Sequence, residues 1–275
     1  MNGNHSREGG EGGRKGKKNC VRRHLPFCGR LGIMNKTIPQ GVDAAVGSVA
    51  AFLENLNLYS LLSLVISVAG ALICITWHEV SHGRMALVLG DPTAKNQGRL
   101  TLNPIRHIDP VGLLMMIIAH VGWAKPVPIN ARNFRHPKRD IALTALAGPV
   151  SNFILAYLAM LLSSAVYHFW FLQTYSIASQ YALIFFIEIA VLSTGLGIFN
   201  LIPISPLDGS KILIAFLPNR IYYKILKYEK YGMIVMVIIV LLGVLDTPLS
   251  WLIYHFLHLL CMGSGFPYQL LLYLV

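Results

Sequence analysis

His78 and His82 stand four residues apart in the stretch TWHEVSHGRMALVLG, residues 76–90, with Glu79 directly after the first of them. On an α-helix that spacing puts both imidazoles on one face, a single turn apart. Neutral imidazoles so placed can bind Zn²⁺, and an adjacent glutamate can handle the proton of an activated water. Zinc lowers the pKa of such a water from about 15.7 toward about 7, which makes hydroxide accessible at neutral pH. The stretch also closes one of the most apolar runs in the chain. Ionisable groups are costly in hydrocarbon, so a cluster of them there signals function.

The elements that must position this cluster follow from composition. The 275 residues are 55% hydrophobic and 13% charged, with a mean hydropathy of +0.57 and a net charge of +11. Soluble domains carry roughly 25% charged residues. The apolar residues form long runs at 58–77, 141–171, 181–204 and 231–245, each close to the roughly 20 residues that cross a bilayer. The expected fold is an all-α polytopic membrane protein, a transmembrane helix bundle embedded in a lipid bilayer. The positive charge does not imply nucleic acid, because no basic run is interleaved with aromatics in an RNA-binding pattern. Cys20, Cys28, Cys74 and Cys261 are too scattered for a disulfide framework or a cysteine metal site.

Residues 1–36 are Gly-, Lys- and Arg-rich without apolar periodicity, and are expected to be a disordered arm. Residues 37–57 read as an interfacial segment. Helices are expected at about 58–89, 140–171 and 181–201, followed by a basic amphipathic patch (Arg220, Lys224, Lys227, Lys230), a further span at about 231–246 and short apolar pieces at 249–262 and 266–275. VGLLMMIIAHV, residues 111–121, is too short to cross alone and reads as re-entrant. GWAKPVPIN, residues 122–130, reads as an extended edge or hairpin because its prolines forbid helix. The loops at 91–110, 122–140 and 211–230 carry the cations, whereas 168–180 has no Lys, Arg, Asp or Glu. The positive-inside rule puts those loops, and the His78 end of the first long helix, on the cytoplasmic side of the cell membrane. A basic arm resists translocation, which conflicts with this topology. Translation from Met34 would leave only Lys36 before the first helix and remove the conflict, and that start is the expectation.

A catalytic zinc site takes three protein ligands and keeps one position open. Candidates for the third ligand are Asp208, Glu188, His120 and His168. Asp208 stands out because it follows NLIPISP, whose prolines break the helix, and backbone unwound at membrane depth is tolerated where it is buried in protein or lines a polar cavity. Gly209 beside it permits close approach.

HEVSHG, LNPIRHIDPVG, GWAKPVPIN, ALAGPVSN and FNLIPISPLDGSK occur in this order. The chain in these motifs resembles the site-2 protease family of intramembrane zinc metalloproteases, in its small bacterial-type form without an inserted PDZ or CBS domain. The resemblance covers about residues 58–217 as the catalytic membrane core, leaving 218–275 as C-terminal membrane helices. It implies one Zn²⁺ per chain held by His78, His82 and Asp208, with Glu79 as general base. It also implies supporting or substrate-binding positions at Asn152, Asn200, Gly148, Pro149 and Gly209. Ser205 stands where the family often has proline, and Ser210 where a second glycine is common.

Each reading has a rival. Asp208 could instead cap the following helix. His107 with Asp109 reads as a turn-forming pair, and His120, His136 and His168 as structural or interfacial. Glu188 would be expensive facing lipid and is expected to face the bundle. As a whole, the chain is expected to be an intramembrane endopeptidase acting on transmembrane proteins or peptides, in regulated proteolysis or in clearing signal-peptide remnants. The competing readings are a membrane metal-binding or transport protein and a non-catalytic scaffold. Transporters scatter ligands over several helices and often carry inverted repeats, and no repeat is visible here. A substrate helix hides its peptide carbonyls in its own hydrogen bonds and must be locally unwound. GWAKPVPIN is the expected edge for that unwound strand, with Val127 and Ile129 as its contact residues.

Overall fold

The computed structural model describes residues 58–109, 112, 125–218, 232, 235–240 and 242–274. The arm at 1–36, the segment at 37–57, most of the expected re-entrant element and the amphipathic patch at 220–230 lie outside the described residues. So do residues 122–124 of the expected hairpin.

Helix α1 spans Leu58–Val88. It ends in a Schellman turn: the Asp91 N–H donates to the Ala86 carbonyl and the Gly90 N–H to that of Leu87, with Gly90 in the left-handed region at φ +107°. Glycine is the residue that adopts this conformation without strain. Helix α2, Pro137–Val166, starts with proline at its first turn, where the missing N–H costs nothing. It continues through a π-helical turn at Tyr167–Phe171 to Thr174. The Ser176 hydroxyl accepts from the Ser179 N–H and caps α3, Ile177–Asn200. Helices α4 (Asp208–Ala215), α5 (Asp246–Ser264) and α6 (Tyr268–Leu274) follow. The stretch expected as a span at about 231–246 is helical at 235–240 and turns at 242–245. No β-strand occurs among the described residues.

Among the described residues, three helical segments are long and apolar enough to cross a membrane: Leu61–Val88, Pro137–Thr174 and Ile177–Asn200. Helix α2 packs against both α1 and α3, α4 lies on α2, and α5 packs on α3 and α2. The protein is an all-α membrane bundle. Its side-chain distribution is that of a membrane protein: Val65, Ile154 and Leu162 point outward, whereas Thr144, Asn152, Ser163, Ser193 and Thr194 are buried. Small residues bring the backbones together where lipid supplies no hydrophobic drive between helices. A Cβ on Gly197 would lie 2.8 Å from Phe153 Cε1, and one on Gly70 would lie 3.4 Å from Leu192 Cδ1. The core forms around Cys74, Ala156, Met160, Ile187, Ala190 and Leu260.

Candidate metal centre

The long rigid helix α1 carries His78, Glu79 and His82 in one turn. NLIPISP interrupts the chain between α3 and α4, so that α4 restarts at Asp208 and turns its carboxylate toward that helix. The three side chains meet. His78 Nε2 lies 3.1 Å from Asp208 Oδ2, His82 Nε2 lies 3.0 Å from the same oxygen, and the two Nε2 atoms are 2.9 Å apart. All three residues are buried. Ligand bonds of about 2.0–2.1 Å put the corners of a tetrahedron about 3.3 Å apart, so a small outward adjustment admits a zinc ion at this triangle. Among the described residues, no other group of three His, Cys, Asp or Glu side chains is so arranged.

The surroundings fit a metal. The Thr144 carbonyl is 2.7 Å from His82 Nδ1. A carbonyl can only accept, so Nδ1 carries the proton and the Nε2 lone pair is left facing the triangle, the usual arrangement of a ligating histidine. Gly148, one turn beyond Thr144, supplies the room: a Cβ there would lie 2.6 Å from His78 Cε1 and closer still to the His82 ring. Pro149 follows inside α2 and removes a backbone donor from that turn. Asp208 is not the cap of α4. Leu207 occupies that position, and the Asp208 carboxylate is free to face the histidines. Lys211 Nζ sits 3.4 Å from Asp208 Oδ1. Gly209 is compulsory, because a Cβ would lie 2.5 Å from the Ile202 carbonyl oxygen, with the Leu201 carbonyl nearer still.

The other expected positions are distributed around this triangle. Asn152 is fully buried, and neither Oδ1 nor Nδ2 has a hydrogen-bond partner among the described residues. Asn200 instead donates to the Leu196 carbonyl of its own helix. Glu79 Oε2 accepts from the Val127 N–H at 2.8 Å. Residues 125–130 are irregular backbone, neither helix nor β-strand, with Asn130 in the extended region. Val127 is buried and would touch a Cβ on Gly83, whereas Ile129 is 40% exposed. Glu188 faces the bundle and accepts from Ser67 Oγ at 2.9 Å.

Sequence reasoning missed several residues that build the neighbourhood. The Thr144 carbonyl has no side-chain signature beyond lying four residues before Gly148. Asp91 reads as a helix stop, yet its fully buried carboxylate accepts from the Asn130 N–H at 2.7 Å, Asn133 Nδ2 at 2.6 Å and the Thr93 N–H at 3.1 Å. Burial pushes that carboxyl up, and the hydrogen bonds from Thr93, Asn130 and Asn133 outweigh it, holding it below the usual carboxylate range. His107 is buried, and its carbonyl accepts from the Lys125 N–H. Arg99 donates to the Lys125 and Pro126 carbonyls.

A buried His-His-Asp triangle inside a bundle of apolar helices, with a glutamate next to its first ligand, defines a membrane metalloprotein of hydrolytic type. Residues 66–244 match the description of peptidase family M50, and the chain belongs to that family, the site-2 proteases. It is 39% identical to YwhC of Bacillus subtilis, provisionally named a zinc metalloprotease, over 61% of this chain and 76% of YwhC. It is 28% identical to Rip2 of Mycolicibacterium smegmatis, named in the same provisional way, over 70% of this chain and 73% of that protein. The Rip2 of Mycobacterium tuberculosis H37Rv matches at 28% over 70% and 71%. No solved structure matches. The chain is a zinc metalloendopeptidase of the membrane.

Proposed function

We infer that this protein hydrolyses peptide bonds of membrane-spanning substrates near the cytoplasmic face of the cell membrane, using one Zn²⁺ per chain. The observation that carries the reading is the convergence of His78, His82 and Asp208 to within 3.1 Å of one another, on helices whose outward faces are apolar. Zinc held there supplies Lewis acidity and makes a water deprotonatable near neutral pH. Glu79, adjacent to His78 in sequence, takes the proton and delivers it to the leaving amine. Asn152 offers a buried amide with both polar atoms unspent. An unpaired amide at that depth is costly, and an unwound substrate backbone offers the carbonyl and N–H that would satisfy it. Ile129 is exposed on the segment at 125–130, where such a strand can approach. The cytoplasmic placement rests on the cations of the loops at 91–110, 122–140 and 211–230.

The test is cleavage of a transmembrane peptide by purified protein in lipid vesicles. Wild type should cut it, and Glu79→Gln should retain zinc while losing hydrolysis by at least about a thousandfold. Comparing membrane proteomes of cells carrying wild type and Glu79→Gln then identifies the substrates, which accumulate uncut in the variant. Equal turnover by both forms would remove Glu79 from the reaction.

A further inference from the structure

The segment Lys125–Asn130 has an unusual backbone. Pro126 and Pro128 bring no N–H, so only four amides remain. The Lys125 N–H donates to the His107 carbonyl at 3.0 Å, that of Val127 to Glu79 Oε2 at 2.8 Å and that of Asn130 to Asp91 Oδ2 at 2.7 Å. The Ile129 N–H has no acceptor among the described residues. Two carboxylates, one within α1 and one just beyond its C-terminal end, therefore hold the segment by its amides. Arg99 holds it by the carbonyls of Lys125 and Pro126 at 2.7 and 3.2 Å.

We propose that Val127 and Ile129 divide two tasks between them: Val127 is a positioning residue that aims Glu79 through its backbone N–H, and Ile129 supplies the segment's one backbone donor for the substrate. The proposal rests on the protease reading of Glu79 and goes beyond it by assigning these two amides. Glutamate is a flexible side chain with three side-chain torsions, and holding it costs rotamer entropy unless something fixes it. A backbone N–H on the residue before a proline is a restricted donor, because Pro128 disfavours the helical region for Val127, while Pro126 fixes the backbone just ahead of it. The buried Val127 side chain, packed at Gly83 of α1, fixes that donor against the helix that carries Glu79. The N–H of Val127 is then already engaged when a substrate strand arrives. Pairing with the substrate must use the Ile129 N–H and free carbonyls, a sparse edge that sets register at one point instead of along a ladder.

Amide hydrogen exchange tests the assignment without any activity measurement. Residues 126–129 contain just two exchangeable backbone amides, at Val127 and Ile129. In wild type the Val127 amide should be protected and the Ile129 amide should exchange freely. Glu79→Ala should speed exchange at Val127 by about tenfold or more, as expected for loss of a hydrogen bond to a charged acceptor. A substrate-derived transmembrane peptide, added to Glu79→Gln protein, should slow exchange at Ile129. Unchanged Val127 exchange in Glu79→Ala, or unchanged Ile129 exchange with peptide, overturns the corresponding half.

Kinetics give the second readout. Val127→Pro removes the donor and should lower kcat about ten- to a hundredfold with KM within twofold. Ile129→Pro should raise KM with kcat retained. Should Val127→Pro fail to fold, an ester replacing the amide at 127 deletes the same proton without changing the side chain, and the same kcat loss is expected. A KM effect at Val127 with kcat unchanged overturns the proposal and leaves the zinc protease reading standing. Failure of wild type to cleave any transmembrane peptide removes that reading, while the two hydrogen-bond assignments still stand or fall by exchange.

Discussion

The His82 imidazole rests against the Cα of Gly148 with no room for a methyl group between α1 and α2. His82 also takes its tautomer from the Thr144 carbonyl one turn earlier on the same helix. The approach of the two helices and the orientation of the ligand are thus one packing event. Gly148→Ala should push the helices apart and turn His82 away from the triangle. Zinc affinity should fall about ten- to a hundredfold, the range seen when supporting contacts of metal ligands are lost, as measured by competition with a chromophoric chelator.

Asp208 contributes the one negative charge of the triangle. Asp208→Ala should leave two imidazoles and lower the zinc retained after dialysis by at least about a hundredfold, with the helix content unchanged by circular dichroism. Full zinc content in that variant would call for another third ligand. Glu188 is poorly placed for the part, since its carboxylate is engaged by Ser67.

Gly209→Ala meets backbone and not flexible side chains. The added methyl would lie 2.5 Å from the Ile202 carbonyl oxygen, so the start of α4 must shift and carry Asp208 with it. A loss of about 1–3 kcal/mol in stability is expected, together with reduced zinc. Thermal unfolding with and without added zinc separates the two effects.

Asp91 ties the end of α1 to residues 130–133, and its carboxyl is held below its ordinary value of 3.8. A depressed native pKa gives stability that is fully present above the unfolded value and is lost as pH falls through the native one. Asp91→Ala should cost about 2–3 kcal/mol at neutral pH by stranding buried donors. Between wild type and variant, that difference should shrink below about pH 4. Denaturant unfolding at several pH values measures it, and a difference that stays constant with pH would assign the cost to packing.

Much of the site is legible in the sequence because its chemistry resides in side chains at helical spacing. His78, Glu79 and His82 share one turn, and the prolines of NLIPISP announce the break after which Asp208 can turn inward. The three long helices were legible for a similar reason, since hydropathy is a sum over many residues and tolerates error in any one. What the sequence left open depends on main-chain groups. The Thr144 carbonyl and the Val127 N–H belong to every residue type and leave no mark in composition. Asp91 illustrates a different difficulty: beside Gly90 and Pro92 it is ordinary turn sequence, and only the return of residues 130–133 to the end of α1 adds the Asn130 N–H and the Asn133 amide to its local donor, Thr93. Val127 and Ile129 are alike by type, and the burial of one and exposure of the other come from the close approach at Gly83.

The donors of the metal triangle are unevenly spread along the chain. His78 and His82 emerge from the ribosome together, and Asp208 is 130 residues behind His78. At ordinary synthesis rates that gap is roughly 7–26 s. During this interval α1 and α2 can be inserted and paired, with His82 already oriented by Thr144, while the third donor does not yet exist. Ribosome-arrested chains ending before and after Asp208 would show the difference as zinc retained under chelation. Until Asp208 is made, a hydrolase embedded among other nascent membrane segments holds only two of its three zinc donors, so the order of its own synthesis delays its activity.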